Sequence, residues 1–162
     1  MIVISDTAPL NYLVLIDCQD VLRDLFGRVI IPHKVFTELQ RNETPEKVQE
    51  WIGNHPAWLE VKVVQDSLVA VSDKLGEGER EAITLVRELR ADILLIDDRD
   101  GRVEAERHCI AVTGTLGVLR TAAHRGLINL QAAIDRLRQT SFREPKTLIE
   151  AMLKEVEERG RL

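Results

Sequence analysis

Three short runs constrain this chain more than any other feature: Ile2-Val3-Ile4, Val29-Ile30-Ile31 and Ile93 to Ile96. Each is apolar at consecutive positions rather than at alternate ones. A strand sends successive side chains to opposite faces of its sheet, so a run with no polar member needs cover on both faces. Strands of that kind belong to parallel sheets with helices on either side. None of the three approaches the ~20 residues that cross a bilayer as a helix.

The segments between these runs read as helices. Leu10 to Ile16 follows Pro9, a good first-turn residue, and Val21 to Phe26 closes at Gly27. After the second strand, helices fit His33 to Gln40 and Glu46 to Ile52, and Leu59 to Val64 alternates as an edge strand would. A helix runs from Gly76–Gly78 to about Arg90 and leads into the strand at Ile93. Arg102 to His108 is read as helix, Ile110 to Val112 as strand, and Leu116 to Arg125 as a helix ended by Gly126. Two more helices fill Leu130 to Gln139 and Pro145 to Arg159, the last after a polar break, "RQTSFREP". The expected fold is α/β, a three-layer sandwich around a mainly parallel sheet.

In such a sheet ligands bind beyond the carboxyl ends of the strands. The first strand ends at Ser5-Asp6-Thr7, the fourth at Asp97-Asp98-Arg99-Asp100 and the fifth at Thr113-Gly114-Thr115. Two of these ends carry carboxylates. A further acid lies on the helix after the glycines. At about 100° per residue, with Glu79 at zero, Ala82, Ile83, Leu85, Val86 and Leu89 centre roughly 50° away. Glu79 therefore lies on the inward face, where a first-turn carboxylate is either a cap or part of a site. Glu38 flanks the stripe formed by Val35, Phe36 and Leu39, and taken alone it divides evenly between a solvated residue and a site residue.

Asp6, Glu38, Glu79 and Asp97 or Asp98 thus come from four separate segments. Brought together they cannot all stay ionised without a counter-charge, and no lysine stands out as a partner. A divalent cation supplies one, and an all-oxygen ligand set selects Mg²⁺ or Mn²⁺ over zinc. Such ions serve phosphodiester cleavage. Strand geometry lets at most one of Asp97 and Asp98 face the cluster and does not choose between them. The rival reading of the whole run is a solvated loop.

The formal net charge of -5 advertises no nucleic-acid binding, though clustered metal ligands lower net charge by themselves. Cys18 and Cys109 lack metal-type spacing and read as reduced core thiols of a cytoplasmic protein. No signal peptide and no membrane segment are expected. The histidines form no ligand spacing, and Trp51 and Trp58 read as packing residues. "TGTLG" suits either an anion at a helix N-terminus or a tight turn.

In order along nearly the whole chain, "VISDTAPL", "VIIPHKVFTEL", "LGEGEREAI", "ADILLIDDRDGRVEAE" and "VTGTLGVL" resemble PIN-domain proteins. They most resemble a bacterial and archaeal branch often found as VapC-like toxins, whose carboxy-terminal helix "TSFREPKTLIEAMLKEVEERG" also resembles. The resemblance implies residues 1–140 as the nuclease domain and 141–162 as a helical extension packed on it. It implies a Mg²⁺- or Mn²⁺-dependent endoribonuclease, a toxin with RNA as substrate, a small antitoxin as partner and a homodimer as its state.

The family's acids fall on Asp6, Glu38, Glu79, where many relatives have aspartate, and Asp98. Ile96 stands where the family's Thr-x-Asp has threonine, so Asp97 and Asp100 remain alternative ligands. Ser5 and Thr7 are candidates to hold Asp6 or a metal-bound water. Arg99 and Arg102 are the nearest candidates for RNA phosphate contact. The competing expectation is a silent PIN-like module that binds RNA or protein. A haloacid-dehalogenase-like phosphatase needs an aspartate two residues after the first, where this chain has Ala8.

Overall fold

The computed structural model describes residues 1–65, 72–143 and 145–160. Glu144, inside the polar break, and the last two residues lie outside the described residues. Five parallel strands form one sheet: β1 (Val3–Ser5), β2 (Val29–Pro32), β3 (Leu59–Lys62), β4 (Ile93–Leu95) and β5 (Val112–Thr113), in the order β3-β2-β1-β4-β5. β1 lies at the centre, with Ile4 opposite Ile30 of β2 and Leu94 of β4. β3 occupies an edge, as its alternation indicates.

The consecutive apolar residues divide between two cores. Val3, Val29, Ile31 and Leu95 face one side, while Ile4, Ile30, Leu94 and Ile96 face the other. The first core is covered by α1 (Thr7–Leu15), α2 (Asp20–Phe26), α4 (Glu46–Gly53), α7 (Thr115–His124), α8 (Leu130–Leu137) and α9 (Lys146–Gly160). The second is covered by α5 (Glu77–Leu89) and α6 (Arg99–Arg107), through residues such as Ile83, Leu85 and Ala105. α3 (His33–Glu38) follows β2 directly and buries Val35 in the first core. This is the three-layer α/β/α sandwich that runs without polar members require.

α9 packs on α7 and α8, burying Ile149 and Met152. Arg120 of α7 grips Glu155 of α9 through both carboxylate oxygens, at 2.9 and 2.8 Å. The apolar side chains Leu10, Leu13 and Val14 of α1 go into the chain's own core. Among the described residues no helix is long and apolar enough to cross a membrane.

Several element ends shift by a residue or more from the sequence reading, three of them at the carboxyl edge of the sheet. α1 begins at Thr7 rather than after Pro9, which is its third residue. The first four helical N–H groups have no partner within the helix, so proline costs nothing there. α6 begins at Arg99 rather than Arg102, because Asp98 caps it by accepting from the Gly101 N–H at 3.0 Å. β5 falls on Val112–Thr113, set by its pairing with Leu94 and Leu95, and Ile110 is buried just ahead of it. The cysteines also divide: Cys18 is buried, but Cys109 is exposed beyond the end of α6.

Candidate metal centre

The carboxyl ends of β1 and β4 meet the starts of α1, α5 and α6 around a cavity of about 760 Å³, into which Asp6, Glu38, Glu79 and Asp98 open. Four of the acids singled out by sequence are therefore brought together from segments far apart in the chain. Among the described residues, no lysine, arginine or histidine forms an ion pair with any of the four.

Asp6 is the N-cap of α1 by position, yet its side chain makes no capping hydrogen bond. It is 5% exposed, and its Oδ1 is buried without a partner. Burial pushes its carboxyl up to about 7, and the charges of Glu79, Glu38 and Asp97 push the same way, against the Thr7 N–H. Ser5 donates its hydroxyl to the Asp6 carbonyl oxygen, not to the carboxylate.

Glu79 combines both roles that its position allows. The N–H of Gly76, the N-cap of α5, favours its charged form, while its Oε2 is buried without a partner. Burial, then the neighbouring charge of Asp98, a hydrogen bond with Asp98 and the charge of Glu38, push its carboxyl up to about 7. Glu38 is held from two directions. Its Oε2 accepts from the Thr7 hydroxyl at 2.6 Å, and its Oε1 accepts from the Gly78 N–H at 3.2 Å. The Thr7 hydroxyl thus serves Glu38, and only its backbone N–H serves Asp6.

Asp97 and Asp98 part company. Asp98 caps α6 and lies beside Glu79 at the cavity wall. Asp97 turns toward α7, where its Oδ1 accepts from the Thr115 N–H at 2.7 Å and its Oδ2 from the Thr115 hydroxyl at 2.6 Å. Burial raises the Asp97 pKa; the Thr115 hydroxyl, its N–H and Arg102 oppose that. The anion at the helix start in "TGTLG" is the chain's own carboxylate. Asp100 sits exposed in the first turn of α6 and opens into neither this cavity nor its neighbour, so the structure does not bring it to the cluster. Arg99 is likewise outside both, whereas Arg102 lines the neighbouring one.

Two glycines shape the site, and sequence reasoning passes over both. A Cβ on Gly78 would lie 2.5 Å from Glu38 Oε2, and one on Gly101 would collide with Glu79 Oε2. The lack of a side chain at these positions lets two acidic side chains approach backbone. The signal in the sequence is only a glycine in the first turn of a helix, where it lowers helix propensity and needs another reason to be.

Among the described residues no group of three or more histidine, cysteine, aspartate or glutamate side chains forms a ready-made metal cage. The donor set still suits a hard divalent cation. It is all oxygen, it lacks a paired cation, and it includes two buried oxygens with nothing to bond. Mg²⁺ is commonly held through one or two carboxylates and keeps several waters, so a three-carboxylate cage is not a requirement.

A parallel α/β/α sandwich with uncompensated acids at the carboxyl edge of its central strands is the class of protein defined here. The family model described as a PIN domain matches residues 2–158, and the chain belongs to that family. Proteins of this family are generally nucleases, and they typically use divalent metals. Neither a curated protein nor a solved structure matches the chain.

Proposed function

We propose that this chain is a Mg²⁺- or Mn²⁺-dependent endoribonuclease, the VapC-like toxin of a type II toxin–antitoxin pair, working in the cytoplasm as a homodimer with a small antitoxin as its partner. The observation that carries the hydrolytic part is the pair of buried, unpartnered oxygens, Asp6 Oδ1 and Glu79 Oε2, in one acid-lined cavity. Native structures leave few buried polar atoms unsatisfied, and an ion held at the site is one of the accepted explanations. The toxin part rests on the order of the sequence motifs.

Asp6 and Glu79 would hold the ion, with Glu38 and Asp98 beside them. When bound, such an ion lowers the pKa of water and stabilises negative charge on a leaving oxygen. The remaining work belongs to the chain's own residues. Thr7 and Gly78 keep Glu38 aimed into the cavity. Asp97, tied to Thr115, adds negative charge near Asp6 without being free to swing in. Asp98 is fixed by its cap to α6 and accompanies Glu79. No side chain is needed as a nucleophile in this scheme.

The test incubates the protein with RNA and Mn²⁺, then repeats the assay with chelator and with Asp6→Asn. Cleavage should vanish in both. Cleavage that persists in either sinks the carboxylate–metal mechanism, and a wild type that cuts no RNA returns the chain to a binding module.

A further inference from the structure

The acid cavity does not end at Asp98. A second cavity of about 770 Å³ adjoins it, and the two share Ala8, Tyr12, Asp98 and Ser141. Its walls are mixed, with Asp97, Asp98 and the Arg120–Glu155 pair beside a larger apolar share. α9 contributes Leu148 and Met152, α7 contributes Leu116, and the turn before α9 contributes Phe142. Leu148 is 49% exposed and belongs to neither core cluster, so its apolar surface faces this cavity without serving the fold. Phe142 stands edge-on to Tyr12, ring centroids 5.0 Å apart. Arg102 and Arg143 line the same cavity, and neither forms an ion pair among the described residues.

An apolar and aromatic slot beside cations is the chemistry that takes an unpaired base by its face and the adjoining phosphates by charge. The volume lies in the range of roughly 300–1,000 Å³ that ligand sites occupy. A strand whose phosphate sits at Asp6 and Glu79 could continue into this slot, because the same four residues line both spaces. We infer that the cavity between α9 and the turn from β5 to α7 seats the unpaired base next to the scissile phosphate, so that α9 sets the base preference. The inference rests on the nuclease reading for the position of the scissile phosphate and goes beyond it in assigning α9 a role in specificity.

The experiment scans one abasic residue through a short single-stranded RNA and measures binding by fluorescence anisotropy. The protein is the Glu79→Gln variant, which the nuclease reading makes inactive; its melting curve checks the fold. Binding should weaken about tenfold, on the scale of one lost stacking contact, at one abasic position only. Leu148→Asp in the same background should weaken the intact RNA to a similar extent and leave the RNA abasic at that position unchanged. Leu148→Phe should keep the single sensitive position. Affinity that ignores every abasic position overturns the inference. So does a Leu148→Asp effect confined to converting a dimer to a monomer, which would make the slot a protein interface. Cleavage by the wild type in Mn²⁺ is scored separately. No cutting with the abasic signature present removes the nuclease and keeps the base slot, while cutting without the signature does the reverse.

Discussion

Two acids in this molecule are equally buried and have opposite surroundings. Asp6 is 5% exposed and Glu104 is 6% exposed. Glu104, on α6, has its Oε1 3.4 Å from His108 Nε2 and its Oε2 3.2 Å from Arg107. The arrangement continues to α5, where Arg87 meets His108 Nδ1 at 2.9 Å. Asp6 has an oxygen with no partner, and its charged neighbours are other acids. A buried acid surrounded by basic groups is part of the architecture. One surrounded by acids is costly to keep unless something else is bound there, and perturbed groups of that kind cluster at functional sites.

Substitution separates the two most sharply. Asp6→Asn should reduce cleavage by at least about a hundredfold, the scale of losing one preorganised charged group from a reaction site. The same variant should unfold at equal or higher urea concentration at neutral pH, because it removes a buried charge that no cation offsets. Glu104→Ala should do the reverse. Cleavage per folded molecule should stay at the wild-type level, and stability should fall by about 1–3 kcal/mol through the lost hydrogen bonds. If Glu104→Ala instead stops cleavage while the protein remains folded, the distinction between the two acids fails.

A pH series sharpens the contrast in the metal-free protein. Asp6 and Glu79 have carboxyls raised in the folded state to about 7 from ordinary values of 3.8 and 4.5. The folded state therefore holds protons that the unfolded chain has released. The stabilisation from these groups is fully present below the unfolded values and is lost as pH rises toward about 7. Melting temperatures in chelator should fall between about pH 4 and about pH 7, at up to about 1.4 kcal/mol per pH unit for each proton concerned. Mn²⁺ should restore stability most at the alkaline end, since it binds the folded ionised form. Asp6→Asn should flatten the slope, whereas Glu104→Ala should leave it in place. A wild-type slope of the opposite sign would refute the assignment of uncompensated buried acids.

The same contrast explains what sequence reading reaches. The sheet was legible because Val3/Ile4, Ile30/Ile31 and Leu94/Leu95 must be covered on both faces, and nothing but paired helical layers does that. Asp6 stood out as an acid at the tip of a buried run, and Glu79 as an acid on an apolar helix face. Both signals are local. Glu38 is ambiguous on its own helix because its partners, Thr7 and Gly78, lie 31 and 40 residues away. Asp97 and Asp98 could not be told apart because Thr115 and Glu79, which draw them in different directions, come from separate elements. His108 illustrates the same limit. Nothing beside it in sequence marks a partner, although Glu104 lies one helical turn earlier and Arg87 reaches it from α5.

Gly78→Ala tests the site with a smaller change than removing an acid. The new Cβ would lie 2.5 and 2.8 Å from the Glu38 carboxylate oxygens, within an impossible contact distance, so that carboxylate must move. Glu38 is a side chain and can yield, and alanine favours the helix by about 1 kcal/mol over glycine. Cleavage should therefore drop about tenfold, a misplacement effect, while stability changes little. Unaltered cleavage would show that Glu38's position does not matter to the reaction.

The smallest effect should come from Thr115, which bridges the two kinds of acid. Asp97 is half-buried and satisfied like Glu104, because Thr115 gives it both a hydroxyl and a backbone N–H. Thr115→Val removes only the hydroxyl. The N–H bond at 2.7 Å survives, at the start of α7 where the helix dipole favours a negative charge. The expected loss is about 1 kcal/mol of stability, with Thr115→Ser restoring it and cleavage falling by only a few-fold in the valine variant. If Asp97 is itself an ion ligand rather than a fixed neighbour of Asp6, the ordering changes. Freed of the hydroxyl, it would then alter the Mn²⁺ concentration needed for half-maximal cleavage more than it alters stability. Titrating Mn²⁺ against wild type, valine and serine variants decides between a tethered carboxylate and a coordinating one.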